Sequence, residues 1–168
     1  MPDEKVIKTE RLSLSLLNER DHAFIVELLN SEGWLKFIGE RNVRTKDDAI
    51  AYIQRINSNP GITYWTVIEN YTSQPVGIIT LIQRDYLDQP DIGFAFLPAA
   101  SGKGYACEAA KAVLDDISGQ GSLAAIHAVT LPANVSSIKL IKKLGLEFNR
   151  KIVIENEELS VYTISLRS

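Results

Sequence analysis

The chain is poor in the residues that make covalent or metal cross-links. It has one cysteine, Cys107, and two histidines, His22 and His127. A lone thiol excludes an intrachain disulfide and a cysteine-based zinc site, and the two histidines lack metal-ligand spacing, so no metal is expected. Long apolar runs are missing too. None approaches the roughly 18 residues that a membrane span needs, and the opening MPDEKVIKTE is too polar for a signal peptide. These absences lead to the expectation of a cytoplasmic protein with no membrane partner. Nor is there an excess of positive charge. The 18 basic and 21 acidic residues leave a net charge of −3, so no global field recommends nucleic acid as a partner. Internal repeats, linkers and low-complexity tracts are absent as well.

What remains is an ordinary globular composition, 45% hydrophobic and 23% charged over 168 residues. That is enough for one well-buried domain, 1–168, and short for two. The most informative stretch is Gly102-Lys103-Gly104-Tyr105-Ala106, between a strand-like run and a helix-like run. A glycine-rich bend leading into a helix presents unpaired N–H groups and the positive end of a dipole, which suits a phosphate or pyrophosphate. A plain tight turn into a helix is the competing reading.

Val6 to Leu17 ends in alternating Leu12, Leu14 and Leu16, a half-buried strand. Glu19 to Asn30 puts Phe24, Ile25, Leu28 and Leu29 on one helical face, and Thr45 with Asp47 and Asp48 starts a helix through Ile56. Asn57 to Gly61 breaks the pattern. Ile62 to Glu69, Pro75 to Arg84 and Asp91 to Leu97 then read as an antiparallel meander. From Gly104 a helix runs to about Ile117 and stops at Gly119 and Gly121. Leu123 to Leu131 is a strand, Asn134 to Leu144 a helix closed by Gly145, and Leu146 to Ile154 and Leu159 to Leu166 a terminal pair around the acidic turn Glu155 to Glu158. The expected fold is α+β, a mixed, mostly antiparallel sheet of about seven strands with four helices, in the order β-α-α-β-β-β-α-β-α-β-β.

That order, with the glycine bend after the fourth strand, resembles the GNAT superfamily of acyl-CoA-dependent N-acyltransferases. Ser101-Gly102-Lys103-Gly104-Tyr105-Ala106 stands where that family carries Gln/Arg-x-x-Gly-x-Gly/Ala. Asn134-Val135-Ser136-Ser137 with Lys143-Leu144-Gly145-Leu146 resembles its Asn-x-x-Ser helix ending in Lys-Leu-Gly-Phe. Trp34 to Thr45 and Asp91 to Pro98 further resemble the branch with the Rim-type protein N-terminal acetyltransferases. Two departures stand out. Ser101 replaces the usual Gln or Arg, which backbone amides that hold a pyrophosphate do not need. Ile141 stands where many members place a tyrosine that protonates the departing thiolate, so that proton must come from elsewhere or from water.

The resemblance implies acetyl-CoA as co-substrate and a primary amine as acceptor, either a small molecule or a peptide or protein N-terminus. The backbone of Gly102, Lys103, Gly104, Tyr105 and Ala106 is then the pyrophosphate site. The strand through Phe96 and Leu97 splays from Ala124 to Thr130 and offers its backbone to the pantetheine, its side chains being core. Asn134 caps its helix and touches the coenzyme arm, and Ser137 is the candidate donor to the sulfur. Asp91 is the best-placed candidate base by analogy, with Glu69 weaker. Lys139, Lys142 and Lys143 are a solvated face or contacts to the 3′-phosphate. Glu108 is a helix-stabilising charge and Cys107 is structural. The acceptor pocket is expected from the Trp34 to Arg44 segment, with Trp34, Phe37, Arg41 and Arg44, together with the Glu155 to Leu159 turn, the competing reading of Trp34, Phe37 and Ile38 being plain core. Arg41 and Arg44 either pair with acids or recognise an anion. The oligomeric state is left open, with an exposed edge strand or the C-terminal pair as the two routes to a homodimer.

Two rival readings stand beside this one. A non-catalytic acyl-CoA sensor is compatible with the missing tyrosine. A P-loop nucleotide enzyme is disfavoured, because Lys103 is followed by Gly104 and not by Ser or Thr.

Overall fold

The computed structural model describes residues 5–166. The first four residues, which belong to the stretch read as too polar for a signal peptide, lie outside the described residues. Eight strands form one sheet in the order β1-β2-β3-β4-β5-β6-β8-β7. They are β1 (Ile7–Lys8), β2 (Leu12–Leu16), β3 (Ile62–Glu69), β4 (Gln74–Ile82), β5 (Asp91–Phe96), β6 (Ala125–Thr130), β7 (Glu147–Ile154) and β8 (Glu157–Ser165). Every neighbouring pair is antiparallel except β5 and β6. Five α-helices cover the two faces: α1 (His22–Leu29), α2 (Glu32–Phe37), α3 (Lys46–Ser58), α4 (Tyr105–Gln120) and α5 (Val135–Lys143). Among the described residues no helix is long and apolar enough to cross a membrane.

The element count exceeds the expected seven strands and four helices at two places. The first strand divides because the chain turns at Thr9, whose N–H donates to Leu12 O at 2.9 Å and folds Ile7 back against Leu14. The extra helix, α2, is six residues long and contains Gly33, too short for a periodic apolar face to show in sequence. The terminal hairpin is also tighter than expected. Only Glu155 and Asn156 turn, both at positive φ (51° and 66°), as a two-residue hairpin twisted to match its strands requires. Glu157 and Glu158 therefore belong to β8. β7 is an edge strand, with Phe148 and Val153 exposed.

Strand alternation sorts the core into two layers. Leu12, Leu14, Ile79, Ile92 and Ile126 face α4, whose Ala109 and Ala110 are wholly buried. Small side chains there let the helix lie close to the sheet. On the other face Leu17 and Ile78 meet Phe24, Ile25, Leu28 and Ile53 of α1 and α3. α3 begins with a capping box, Thr45 Oγ1 accepting from Asp48 N at 3.1 Å, which matches the start signal in the sequence.

Candidate active site

β5 and β6 share one register pair, Asp91 with His127, and beyond it the two parallel strands are not paired. Which backbone groups face the resulting gap follows from β5's ladder with β4. Leu97 N donates to Val76 O at 2.9 Å, and Ala95 and Gly93 pair with Ile78 and Thr80. Alternation turns the amides and carbonyls of Leu97, Ala95 and Gly93 toward β4, and those of Phe96, Phe94 and Ile92 toward β6. The bond from His127 N to Pro90 O at 2.9 Å fits this parity. Phe94 and Phe96 thus offer backbone groups to the gap.

Leu97 corrects the sequence expectation. Its N–H is engaged by Val76 and its carbonyl accepts from Ala100 N at 2.9 Å, so its backbone is not available to a cofactor. Its side chain packs with the α1–α3 layer. The Phe96 ring covers Gly77, where a Cβ would sit 2.4 Å from Phe96 Cδ2. That position requires glycine for close approach.

The glycine bend lies beyond the open end of the gap. Gly102 and Gly104 are both left-handed (φ 77° and 79°), and a side chain at Gly102 would meet open space. The bond from Glu108 N to Gly104 O, at 3.1 Å, closes the first turn of α4. The amides of Tyr105, Ala106 and Cys107 precede it and have no intrahelical acceptor. Gly104, the capping residue, has no side chain to take them. Open space, left-handed glycines and unclaimed amides together fit an anionic phosphate group. Lys103 is exposed beside them.

A brace unseen in the sequence holds this bend to the sheet. Arg11 Nη1 donates to Lys103 O at 2.8 Å, and its Nε donates to Glu108 Oε1 at 2.7 Å. Thr9 Oγ1 donates to the other Glu108 oxygen at 2.5 Å. The guanidinium lies 4.6 Å from the centre of the Tyr105 ring, and Tyr105 OH donates to Glu69 Oε2 at 2.5 Å. Burial raises the Glu108 pKa, but the bonds from Thr9 and Arg11 outweigh it and the carboxyl sits below its ordinary value. Glu69 is lowered by Tyr105 and Thr72. Glu108, expected as a helix-stabilising charge, spends both carboxyl oxygens on Thr9 and Arg11 of the β1–β2 turn. Glu69, the weaker candidate base, is engaged at the cofactor end.

Asn134 caps α5, its Oδ1 accepting from Ser137 N at 3.2 Å. Its Nδ2 and the half-buried Ser137 hydroxyl have no hydrogen-bond partner among the described residues, so both can address a ligand. Ile141, at the position of the absent tyrosine, is buried in the α4 layer. Lys139, Lys142 and Lys143 are exposed on α5.

Asp91 lies at the closed end, where β5 and β6 meet, and not at an open mouth. It is buried, and its Oδ1 accepts from Arg84 Nε at 3.1 Å. Burial pushes its carboxyl above the ordinary value against the opposing pull of Arg84. Its strand partner His127 is also buried. His127 Nδ1 meets Thr163 Oγ1 at 2.8 Å and Nε2 meets Asp88 Oδ1 at 2.7 Å. The Asp88 carboxylate can only accept, so Nε2–H donates to it, and Thr163 Oγ1 also accepts from Asn149 Nδ2 at 2.9 Å.

The expected acceptor residues separate. Trp34 is buried in the α1–α3 layer with Tyr52 and Tyr64, whose hydroxyls are 3.4 Å apart. Phe37 is half-buried beside Lys36. Arg44 is consumed locally, ion-paired to Glu40 and donating to Asn30 Oδ1 at 2.8 Å. Arg41 is exposed and, among the described residues, donates only to the Glu40 carbonyl, at 3.3 Å. The Glu155–Asn156 turn leaves the sheet beyond Ser160, which pairs with Thr130 at the open end of the gap. Arg11, Tyr52, Tyr64, Arg84 and His127 carry no local motif. Each gains its neighbour through strand pairing or helix packing.

A GNAT acetyltransferase domain model matches residues 11–147. The chain is 28% identical over 155 residues to the uncharacterised N-acetyltransferase YnaD of Bacillus subtilis, covering 90% of both. A GNAT-family acetyltransferase from Bacillus anthracis superposes with a TM-score of 0.80 at 27% identity, over 96% of this chain and 99% of that one. The fold is shared, at 18% identity and a TM-score of 0.79, with spermidine N-acetyltransferase of Vibrio cholerae, solved with CoA and spermine, over 94% and 97% of the two chains. With its splayed parallel strands and glycine bend, the chain belongs to the GNAT acetyltransferase family.

Proposed function

We propose that the protein transfers an acetyl group from acetyl-CoA to a primary amine by direct attack within a ternary complex. The observation that carries this reading is the unpaired stretch of β5 and β6, with the unclaimed amides of the glycine bend beyond its open end. The amides of residues 103 to 106 bind the pyrophosphate, and Phe94 and Phe96 supply backbone groups along the gap. Acetyl-CoA supplies the acyl carbon as a thioester: the amine nitrogen bonds to it, the carbon–sulfur bond breaks, one proton leaves the nitrogen and one reaches the sulfur.

Ser137, with its hydroxyl unengaged, is the donor proposed for the sulfur, Asn134 fixing the first turn that carries it. Asp91 is held with Arg84 on the face that the α1–α3 layer covers. Its raised pKa suits a carboxyl that takes a proton from the amine directly or through water. A thiol is not required for direct attack, so Cys107 has no chemical role.

Calorimetric titration with acetyl-CoA tests this. Gly104→Ala and Gly104→Glu carry the same left-handed strain, which the glycine does not, whereas Gly104→Glu also places a charge among the amides. Micromolar binding that survives in Gly104→Ala better than in Gly104→Glu is expected, the charged variant falling by about a hundredfold or more. Absence of binding to folded wild type contradicts the proposal. Binding without turnover of any amine, unchanged in Ser137→Ala, identifies an acyl-CoA sensor.

A further inference from the structure

One buried polar side chain at the closed end of the gap has no part in the chemistry above. His127 lies in β6 with 3% of its surface exposed, and its two ring nitrogens are engaged from different elements. Nε2 meets Asp88 Oδ1 at 2.7 Å, in the loop between β4 and β5, and Nδ1 meets Thr163 Oγ1 at 2.8 Å, in β8. Thr163 is held in turn by Asn149 of β7. The backbone is used as well. His127 N donates to Pro90 O at 2.9 Å, and Asp91 with His127 is the register pair that joins β5 to β6. Register partners on neighbouring strands share a face of the sheet, so His127 stands beside Asp91 where the gap begins.

Folding alone does not ask for this network. An apolar side chain at 127, like its neighbours Ile126 and Ala128, would be buried without needing partners, whereas an imidazole there destabilises the fold unless its bonds are made. What the imidazole adds is position. The Asp88 side chain is 74% exposed, so its bond to Nε2 secures the loop and not the core. That loop also carries Arg84, whose carbonyl accepts from Leu87 N at 3.3 Å and from Gln83 Nε2 at 3.2 Å. Its Nε donates to Asp91 Oδ1 at 3.1 Å. The loop is thus tied to β6 near one end by His127 and reaches Asp91 from the other end through Arg84.

We propose that His127 is a positioning residue for acetyl transfer: through Asp88 and Pro90 it fixes the loop from which Arg84 reaches Asp91, and with it the point where β5 and β6 part. The inference rests on the acetyl-transfer reading and names what holds its proton acceptor in place. Both ring nitrogens face protein groups, so His127 acts through Arg84 and touches neither substrate. Without the tie, Arg84 loses its fixed place and its pull on the carboxyl, while burial, which acts the other way, remains. Asp91 then keeps its proton to higher pH. The further charged and titratable groups around this pair are Asp85 and Tyr86 in the loop, Tyr64 of β3 beside Arg84, and Arg150 of β7 toward Asp88.

The test compares Asp88→Ala, which removes the tie at an exposed position, with Asp88→Asn, which keeps an oxygen to accept from Nε2–H. Carboxyl NMR of carbon-13-labelled protein without cofactor follows the titration of Asp91 directly, and the pH profile of kcat is taken with the best amine of a screen. In Asp88→Ala the Asp91 midpoint and the acid limb of the profile should both move upward, and the plateau kcat should fall about tenfold. Acetyl-CoA affinity by calorimetry should stay as in wild type. Losing the Asp88 charge alone would lower the midpoint, because a like charge is removed. Asp88→Asn should therefore keep kcat within about twofold, with a midpoint at or below that of wild type. A midpoint that does not rise in Asp88→Ala, one that rises with kcat unchanged, or an equal loss of rate in Asp88→Asn overturns the inference. A wild type that binds no acetyl-CoA, or binds it and acetylates no amine, overturns the transfer reading instead, and the cofactor-free titration of Asp91 still decides whether the tie holds Arg84 in place.

Discussion

At the open end of the gap between β5 and β6, the groups offered to a ligand are backbone amides, held by glycines and braced from behind by Arg11, Thr9 and Glu108. At the closed end the groups are side chains, Asp91 with Arg84 and, on the same face, the Tyr52–Tyr64 pair, each delivered by a different element. A backbone site tolerates sequence change as long as the turn survives, and it reads any molecule with the same phosphate. A side-chain site changes with each substitution. On the proposed function one chain keeps a general cofactor end and a particular acceptor end, and substitutions should separate them.

The largest effect on stability is expected at the closed end. Arg84→Leu leaves the Asp91 carboxylate buried without its partner, which should cost about 3 kcal/mol at neutral pH. The pH dependence has a definite sign. Burial already raises the folded pKa of Asp91 above its ordinary value, so the folded state binds more protons than the unfolded one across that interval. Stability contributed by this group falls as pH rises through it. Without Arg84 the interval extends further upward. Urea unfolding of wild type and variant at pH 4.5 and pH 8 should show a small difference at the lower pH and the full one at the higher. A difference independent of pH would mean that Asp91 is not stranded.

Gly77→Ala tests the opposite side of the comparison. Its Cβ would stand 2.4 Å from the Phe96 ring, and the strand must shift or the ring turn, at about 2 kcal/mol. Because the backbone of Phe96 lines the gap, acetyl-CoA affinity should fall as well, while the titration midpoint of Asp91, set at the far end, stays as in wild type. Calorimetry and carboxyl NMR measure the two separately. A changed midpoint would show that the ends are coupled.

The same division explains what could be read in advance. The meander, the glycine bend and the Asn134 helix were visible because each depends on residues adjacent in sequence: alternation for β3, left-handed glycines before α4, an N-cap before α5. α2 escaped because six residues make under two turns, and the first strand's split because its turn at Thr9 has no glycine or proline to mark it. In the site, the backbone groups of residues 102 to 106 were legible and Leu97 was not. Alternation assigns its amide to β4 or to the gap only when the register with Val76 is known. Arg44 and Arg41 looked alike in sequence, and only the fold shows that one is ion-paired and the other is not. The Arg11–Glu108 contact spans 97 residues and has no local signature.

The smallest effect should come from that contact. Glu108→Gln keeps the shape and one acceptor oxygen but removes the charge that Arg11 answers. The pair is partly exposed, with side chains at 43% and 21%, so the loss should be about 1 kcal/mol at pH 7. Bonds from Thr9 and Arg11 prevail over burial and hold the folded pKa of Glu108 below its unfolded value. The stabilisation is therefore present above the unfolded value, near 4.5, and disappears as pH falls through the folded one. Wild type and variant should converge in stability as the solution is acidified, as for Arg84→Leu, although the contributions of the two carboxyls themselves run in opposite directions with pH. Arg11 also holds the Lys103 carbonyl, so loosening it should weaken acetyl-CoA binding a few-fold through the bend alone. If cofactor affinity is untouched while stability drops, the brace serves the fold only, and the glycine bend keeps its shape without help from the sheet.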